Sequence, residues 1–117
     1  MVDPETGPEI WKAEEVMWTG GTDAFQRRMG PVCVMTFPGI GVLERDEILP
    51  TLAVAPRWSH IDMKERHLAE TDGMIVLGYR AYAIRDGDAP YNAFCSSTWI
   101  STPEGWRIVQ HQHTPIH

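Results

Sequence analysis

The sequence predicts an α+β domain in which helices at the start of the chain pack on one face of an antiparallel sheet. Two observations carry this. Apolar residues recur at helical spacing up to Ala53, and from Trp58 onward the period falls to two. Turn-forming clusters at Glu70–Gly73, Asp86–Pro90 and Pro103–Gly105 then cut the second half into four strands of a meander.

The first helix is expected over Pro8–Thr19. Ile10, Trp11, Ala13, Val16, Met17 and Trp18 supply apolar neighbours three, four and seven apart, and Lys12, Glu14 and Glu15 are assigned to the wet side. Gly20-Gly21 ends it. Thr22-Asp23 caps a second, short helix that runs to about Met29 and stops at Gly30-Pro31. Val32–Phe37 is a β-branched apolar run and reads as the first strand, followed by a Pro38–Gly41 loop. Leu43–Ala53 reads as a third helix, kinked or cut short at Pro50. Trp58–Ala69 alternates in part, as a strand with one wet face does. Met74–Arg85 is apolar enough for a strand buried on both faces. Tyr91–Thr102 and Trp106–Thr114 complete the meander.

Composition bounds the rest. A chain of 117 residues, 43% hydrophobic, forms one domain over 1–117. Its mean hydropathy of -0.27 suits a folded, water-exposed protein. Ten Lys plus Arg against sixteen acids leave a formal charge of -6 and no basic footprint, so no nucleic-acid partner is expected. No apolar run approaches the roughly 20 residues of a membrane span. The opening Met1-Val2-Asp3-Pro4-Glu5 lacks the basic start of a secretory signal, and a cytoplasmic location is expected. Cys33 and Cys95 belong to no CxxC or nucleophile motif and are expected as buried, reduced thiols.

Centring the two hairpins on their turns places Tyr79 near Ser96, Val76 near Trp99, Trp99 near Ile108 and Ser96 near His111. One face then collects Leu77, Tyr79, Phe94, Ser96, Thr98, Val109, His111 and His113. The other collects Val76, Arg80, Tyr82, Cys95, Ser97, Trp99, Ile108, Gln110 and Gln112. Both faces are apolar enough to need cover, one by the helices and the other by a second subunit.

Three chemical candidates stand out. His111-x-His113 projects two imidazoles from one strand face, as chelation requires. No third ligand lies on the strand body, so no metal is expected, and a proton-transfer role for His111 is the alternative to a plain sheet histidine. Asp62, between Ile61 and Met63, is the carboxylate best placed to act as a pocket acid or base. Arg80, in the most apolar strand, must either bind an anionic ligand group or bridge to an acid such as Asp62.

A Trp-bearing first helix, the LERDEIL segment, the VLGYRAYAIRDGDAPYNAFCSSTWI hairpin and above all the closing GWRIVQHQHTP resemble the nuclear-transport-factor-2-like superfamily, in particular its SnoaL-like and ketosteroid-isomerase-like bacterial members. The resemblance implies a cone-shaped cystatin-like roll, N-terminal helices on a strongly curved, mostly antiparallel sheet, with a deep apolar pocket and usually a homodimer. It implies a pocket lined by Trp18, Met35, Trp58, Tyr79, Arg80, Trp99 and His113, with Asp62 and His111 as candidate catalytic groups. A second pocket acid of the isomerase pattern is missing, since Glu104 and Asp86 belong to turns. The expected function is accordingly binding of a small apolar or aromatic molecule, with no cofactor. A proton-shuttling isomerase, cyclase or dehydratase is one alternative, and an oligomerisation module is another.

Overall fold

Helical spacing and period-two alternation both find their elements in the computed structural model, which describes residues 3–117. Three helices come first or early: α1 (Thr6–Thr19), α2 (Gly21–Arg28) and α3 (Arg45–Ala53). Six strands, β1 (Met29–Phe37), β2 (Gly41–Glu44), β3 (His60–Thr71), β4 (Met74–Ile84), β5 (Tyr91–Thr102) and β6 (Gly105–Pro115), form one sheet in the order β2-β1-β6-β5-β4-β3. All neighbours are antiparallel except β1 and β6, which run parallel, so the sheet is mixed.

The α1 stripe of Ile10, Ala13, Met17 and Trp18 is buried against the inner sheet face, joining Met35, Ile75, Leu77, Ala81, Trp99 and Ile108 in one core. Gly20 closes α1 by donating its N–H to the Val16 carbonyl at 2.7 Å and serves as the N-cap of α2. Gly21 follows at φ +69, a conformation glycine adopts freely. At the start of α3 the Glu44 N–H donates to the Glu47 carboxylate at 2.9 Å. Among the described residues no helix is long and apolar enough to cross a membrane.

Several expectations are corrected. The first strand begins at Met29, because Gly30-Pro31 falls in an irregularity of the β1–β6 ladder between Met29 and Val34, where a missing N–H is tolerated. Gly41–Glu44, read as loop and helix start, is a short edge strand on β1. Pro50 does not end α3, which runs on to Ala53; the carbonyl its missing N–H would have met belongs to Asp46, whose side chain stands in solvent. Trp58 lies in the loop before β3.

The register correction matters most. The β4–β5 connection centres on Gly87, at φ +85, so Tyr79 faces Cys95 and Val76 faces Thr98. Trp99 does face Ile108, but a bulge at Val109 then sets Ser97 against His111 and Ser96 against Gln112. The inner face therefore receives Tyr79, Cys95, Ser97, Trp99, Ile108 and His111, while Phe94, 52% exposed, points outward. β4 buries only its inner face (Ile75, Leu77, Tyr79, Ala81 and Ala83), and its alternate residues are half-covered.

Candidate functional site

At the centre of the inner face lies a carboxylate. Glu14 sits in the apolar stripe of α1 and is fully buried, not on the wet side. A charge there persists only if its lone pairs are occupied. Tyr79 Oη donates to Oε2 at 2.5 Å, Ser97 Oγ to the same oxygen at 2.6 Å, and Trp99 Nε1 to Oε1 at 2.9 Å. His111 Nδ1 stands 3.4 Å from Oε2. Burial alone would raise the Glu14 carboxyl, but the hydrogen bond and charge of His111, then the Ser97 and Tyr79 hydroxyls, outweigh it and hold the group below the usual carboxylate range. Tyr79 in turn accepts from Trp18 Nε1 at 2.9 Å, and burial first, with Glu14 beside it, pushes its phenol well up.

From Glu14 a chain of polar contacts runs outward along β5 and β6. Ser97 Oγ meets His111 Nδ1 at 2.6 Å, His111 Nε2 meets His113 Nε2 at 2.8 Å, and His113 Nδ1 meets Tyr91 Oη at 3.1 Å. With the Ser97 proton given to Glu14, His111 must donate through Nδ1. Two proton arrangements complete the chain beyond it. Either His113 donates through Nε2 and accepts from Tyr91, or His111 donates through Nε2 and His113 donates to Tyr91. The second holds one proton more, so the chain can take up a proton by reversing two bonds. His113 itself stays neutral, its imidazole pushed down to about 2 by burial, then by His111 and Arg85.

The two histidines of this chain border a cavity of about 170 Å³ between the three helices and β6. Met17, Met35 and Ile108 form its floor, and Trp18, Phe25 and Phe37 its walls, with His111 and His113 edging in. Trp18 stacks flat on His113 (centroids 4.7 Å apart, planes within 1°) and Trp58 on Tyr91 at 5.2 Å. At the rim, Arg85 lies over Trp58 with its guanidinium carbon 3.7 Å from the ring centroid, and Arg57 stands nearby.

Of the residues singled out from sequence, Trp18, Met35, Trp58, His111 and His113 line this cavity. Tyr79 and Trp99 are inward but spent on Glu14. Asp62 and Arg80 are not brought to the cavity. Asp62 faces outward and pairs with His60 at 3.2 Å, and Arg80, 43% exposed, reaches Glu65 at 3.7 Å and not Asp62, because alternate residues of β3 and β4 belong to the outer face. Asp62 is thus corrected as a pocket base and Arg80 as a pocket cation. Among the described residues no group of three or more His, Cys, Asp or Glu side chains is disposed to hold a metal. Cys33 and Cys95 are buried and free, and burial raises both thiols, Cys33 to about 11. Sequence reasoning missed Glu14, Ser97, Tyr91, Arg57 and Arg85. A signal existed for Glu14, which falls four residues after Ile10 and three before Met17.

No protein-family profile matches the chain, and no curated protein sequence does. Solved structures do match. A ketosteroid isomerase candidate from Parabacteroides distasonis superposes with a TM-score of 0.79 at 17% identity, covering 92% of this chain and 85% of that one. A nuclear-transport-factor-2-like protein from Cytophaga hutchinsonii gives 0.81 at 7%, over 99% and 100%. A dehydratase candidate of the same family from Streptomyces avermitilis gives 0.78 at 19%, over 97% and 99%. At such identities the likeness is one of architecture, and the chain has the nuclear-transport-factor-2-like fold, a cystatin-like α+β roll.

Proposed function

We propose that this protein binds a small apolar or aromatic molecule in the cavity between the helices and β6. The observation that carries this reading is an aromatic-walled cavity whose polar groups are already oriented by hydrogen bonds running back to Glu14. Its size sharpens the ligand. Drug-sized ligands occupy roughly 300–1,000 Å³, and a dry apolar cavity of about 150 Å³ takes benzene, so a volume near 170 Å³ suits one ring and not four. Titration of the ¹⁵N-labelled protein with the neutral probe p-cresol tests it. The indole N–H signals of Trp18 and Trp58 are expected to move while that of Trp106 stays; no movement at millimolar probe refutes the reading.

A second reading, a proton-transfer enzyme of the isomerase, cyclase or dehydratase kind, is favoured by the Glu14–Ser97–His111–His113–Tyr91 chain, whose two histidines line the cavity. The candidate base is then His111 backed by Glu14, and Asp62 has no part. Protein-catalysed deuterium exchange into the acidic C–H of small cyclic enones is expected, and its absence across such a panel removes this reading.

The outer sheet face supports a homodimer. Val34, Val42 and Phe94 are 45%, 66% and 52% exposed on it. Sedimentation equilibrium is expected to give twice the chain mass, and Phe94→Asp to shift it toward the monomer.

A further inference from the structure

The cavity has a cationic rim in a protein whose formal charge is -6. Arg57 and Arg85 both line it, and no Asp or Glu does. The ion pairs among the described residues join Lys12 to Glu15, Arg45 to Asp46, His60 to Asp62, Arg80 to Glu65 and His111 to Glu14; neither rim arginine takes part in one. Asp86 and Asp88, the acids nearest Arg85 in sequence, Asp62, the nearest to Arg57, and Asp23 in the first turn of α2 are all exposed and absent from the cavity lining.

Each arginine carries its own sign of an unfilled role. Arg85 sits over Trp58, and its Nε is buried with no hydrogen-bond partner. An unanswered buried donor costs about 1–3 kcal/mol, more when charged, and such a cost persists where a ligand relieves it. Arg57 is pressed against the first residue of α2. That residue is Gly21, and a Cβ there would collide with the guanidinium. The amino end of α2 has no side-chain cap, and it abuts the carboxyl end of α1 at Gly20, so the two helix dipoles offset each other there and leave Arg57 without a carboxylate partner.

We infer that the ligand of this cavity is an anion: a one-ring apolar or aromatic carboxylate whose ring packs among Trp18, Phe25 and Phe37 while its acid group is taken by Arg85, with Arg57 adding charge from the rim. The inference rests on the small-molecule reading above and names the class of that ligand. Arg85 supplies the directional contact because its guanidinium is anchored over Trp58 and carries a fork of N–H donors matched to a planar carboxylate. Arg57 is exposed, and solvent weakens its share.

Phenylacetate and phenylacetamide, nearly identical in shape and different in charge, test this by titration of the full chain followed by NMR. The acid is expected to bind about tenfold or more tightly than the amide, and added sodium chloride to weaken only the acid. Arg85→Met is expected to bring the acid to within about two- to threefold of the amide, Arg57→Met to cost about two- to threefold, and the outer-face control Arg80→Met to change nothing. Equal affinity for acid and amide, or a preference for the acid that survives undiminished in Arg85→Met, overturns the anion while leaving the cavity a binding site. The salt dependence of the unsubstituted protein decides the matter even if Arg85→Met does not fold. Binding of p-cresol without either probe overturns this inference alone, whereas binding of none of the three overturns it together with the reading beneath it.

Discussion

A carboxylate in an apolar core holds its charge only while donors occupy its oxygens, and at Glu14 one indole and two hydroxyls do so. Truncation to alanine strands all three donors and opens a hole, so Glu14→Ala is expected to lower stability by about 3–5 kcal/mol. Glu14→Gln keeps the volume and part of the bonding, and should cost about 1–3 kcal/mol. Urea midpoints measure both; equal losses would mean that the carboxylate and its hydrogen bonds, not volume, govern the site. The spacing of Ile10, Ala13, Met17 and Trp18 made their burial legible, and the same spacing includes Glu14. Residue type pointed the other way, because a lone carboxylate is rarely buried unless its partners are known, and those partners lie 65 to 85 positions along the chain. Asp62 failed for the converse reason. Its strand was visible, and since its apolar neighbours Ile61 and Met63 take the inner face, the same alternation turns Asp62 outward.

At the scale of elements, the joint between α1 and α2 is the tightest constraint. Gly21 needs its positive φ, and a Cβ there would in addition have to displace the end of the Arg57 side chain. Gly39 has a similar φ, +76, with nothing near it. Gly39→Ala is therefore expected to cost only the backbone strain, about 1–2 kcal/mol, and Gly21→Ala more than that. Thermal midpoints of the two variants check the order, and the reverse order would show that Arg57 yields freely. The four meander strands were legible because period and turn residues agree over long stretches. β2 was not, because four residues are too few for alternation to show. Ser97 went unrecognised for a subtler reason. Gly87 takes the centre of its turn and Val109 bulges from β6, and each moves the register by one residue. Nothing in local composition marks either event.

For the whole molecule, acid is the revealing variable. His113 is lowered in the folded state from 6.5 to about 2, and Glu14 is lowered from 4.5. In both cases the unfolded chain takes the proton first as pH falls. Stability should be level above pH 6.5 and decline below it, by up to about 1.4 kcal/mol per pH unit from His113, then more steeply below 4.5 as Glu14 joins. Chemical denaturation at about pH 7 and about pH 5 measures this, and His113→Gln should flatten the upper part of the curve. A wild-type midpoint that does not change across that range would show that the imidazole is open to water. The overall class, helices on one side of a meander, was legible from the change of period at Trp58, whereas the parallel pairing of β1 with β6 was not, since it joins segments about as far apart as the chain allows. That pairing also orders events in time. β6 lies in the middle of the sheet yet is the last strand in the chain. Until it is made, β1–β2 and β3–β5 are two separate fragments with bare edges toward each other, and a nascent chain halted before Gly105 has no hearth at which to assemble its aromatic cavity and every opportunity to pair with a neighbour instead.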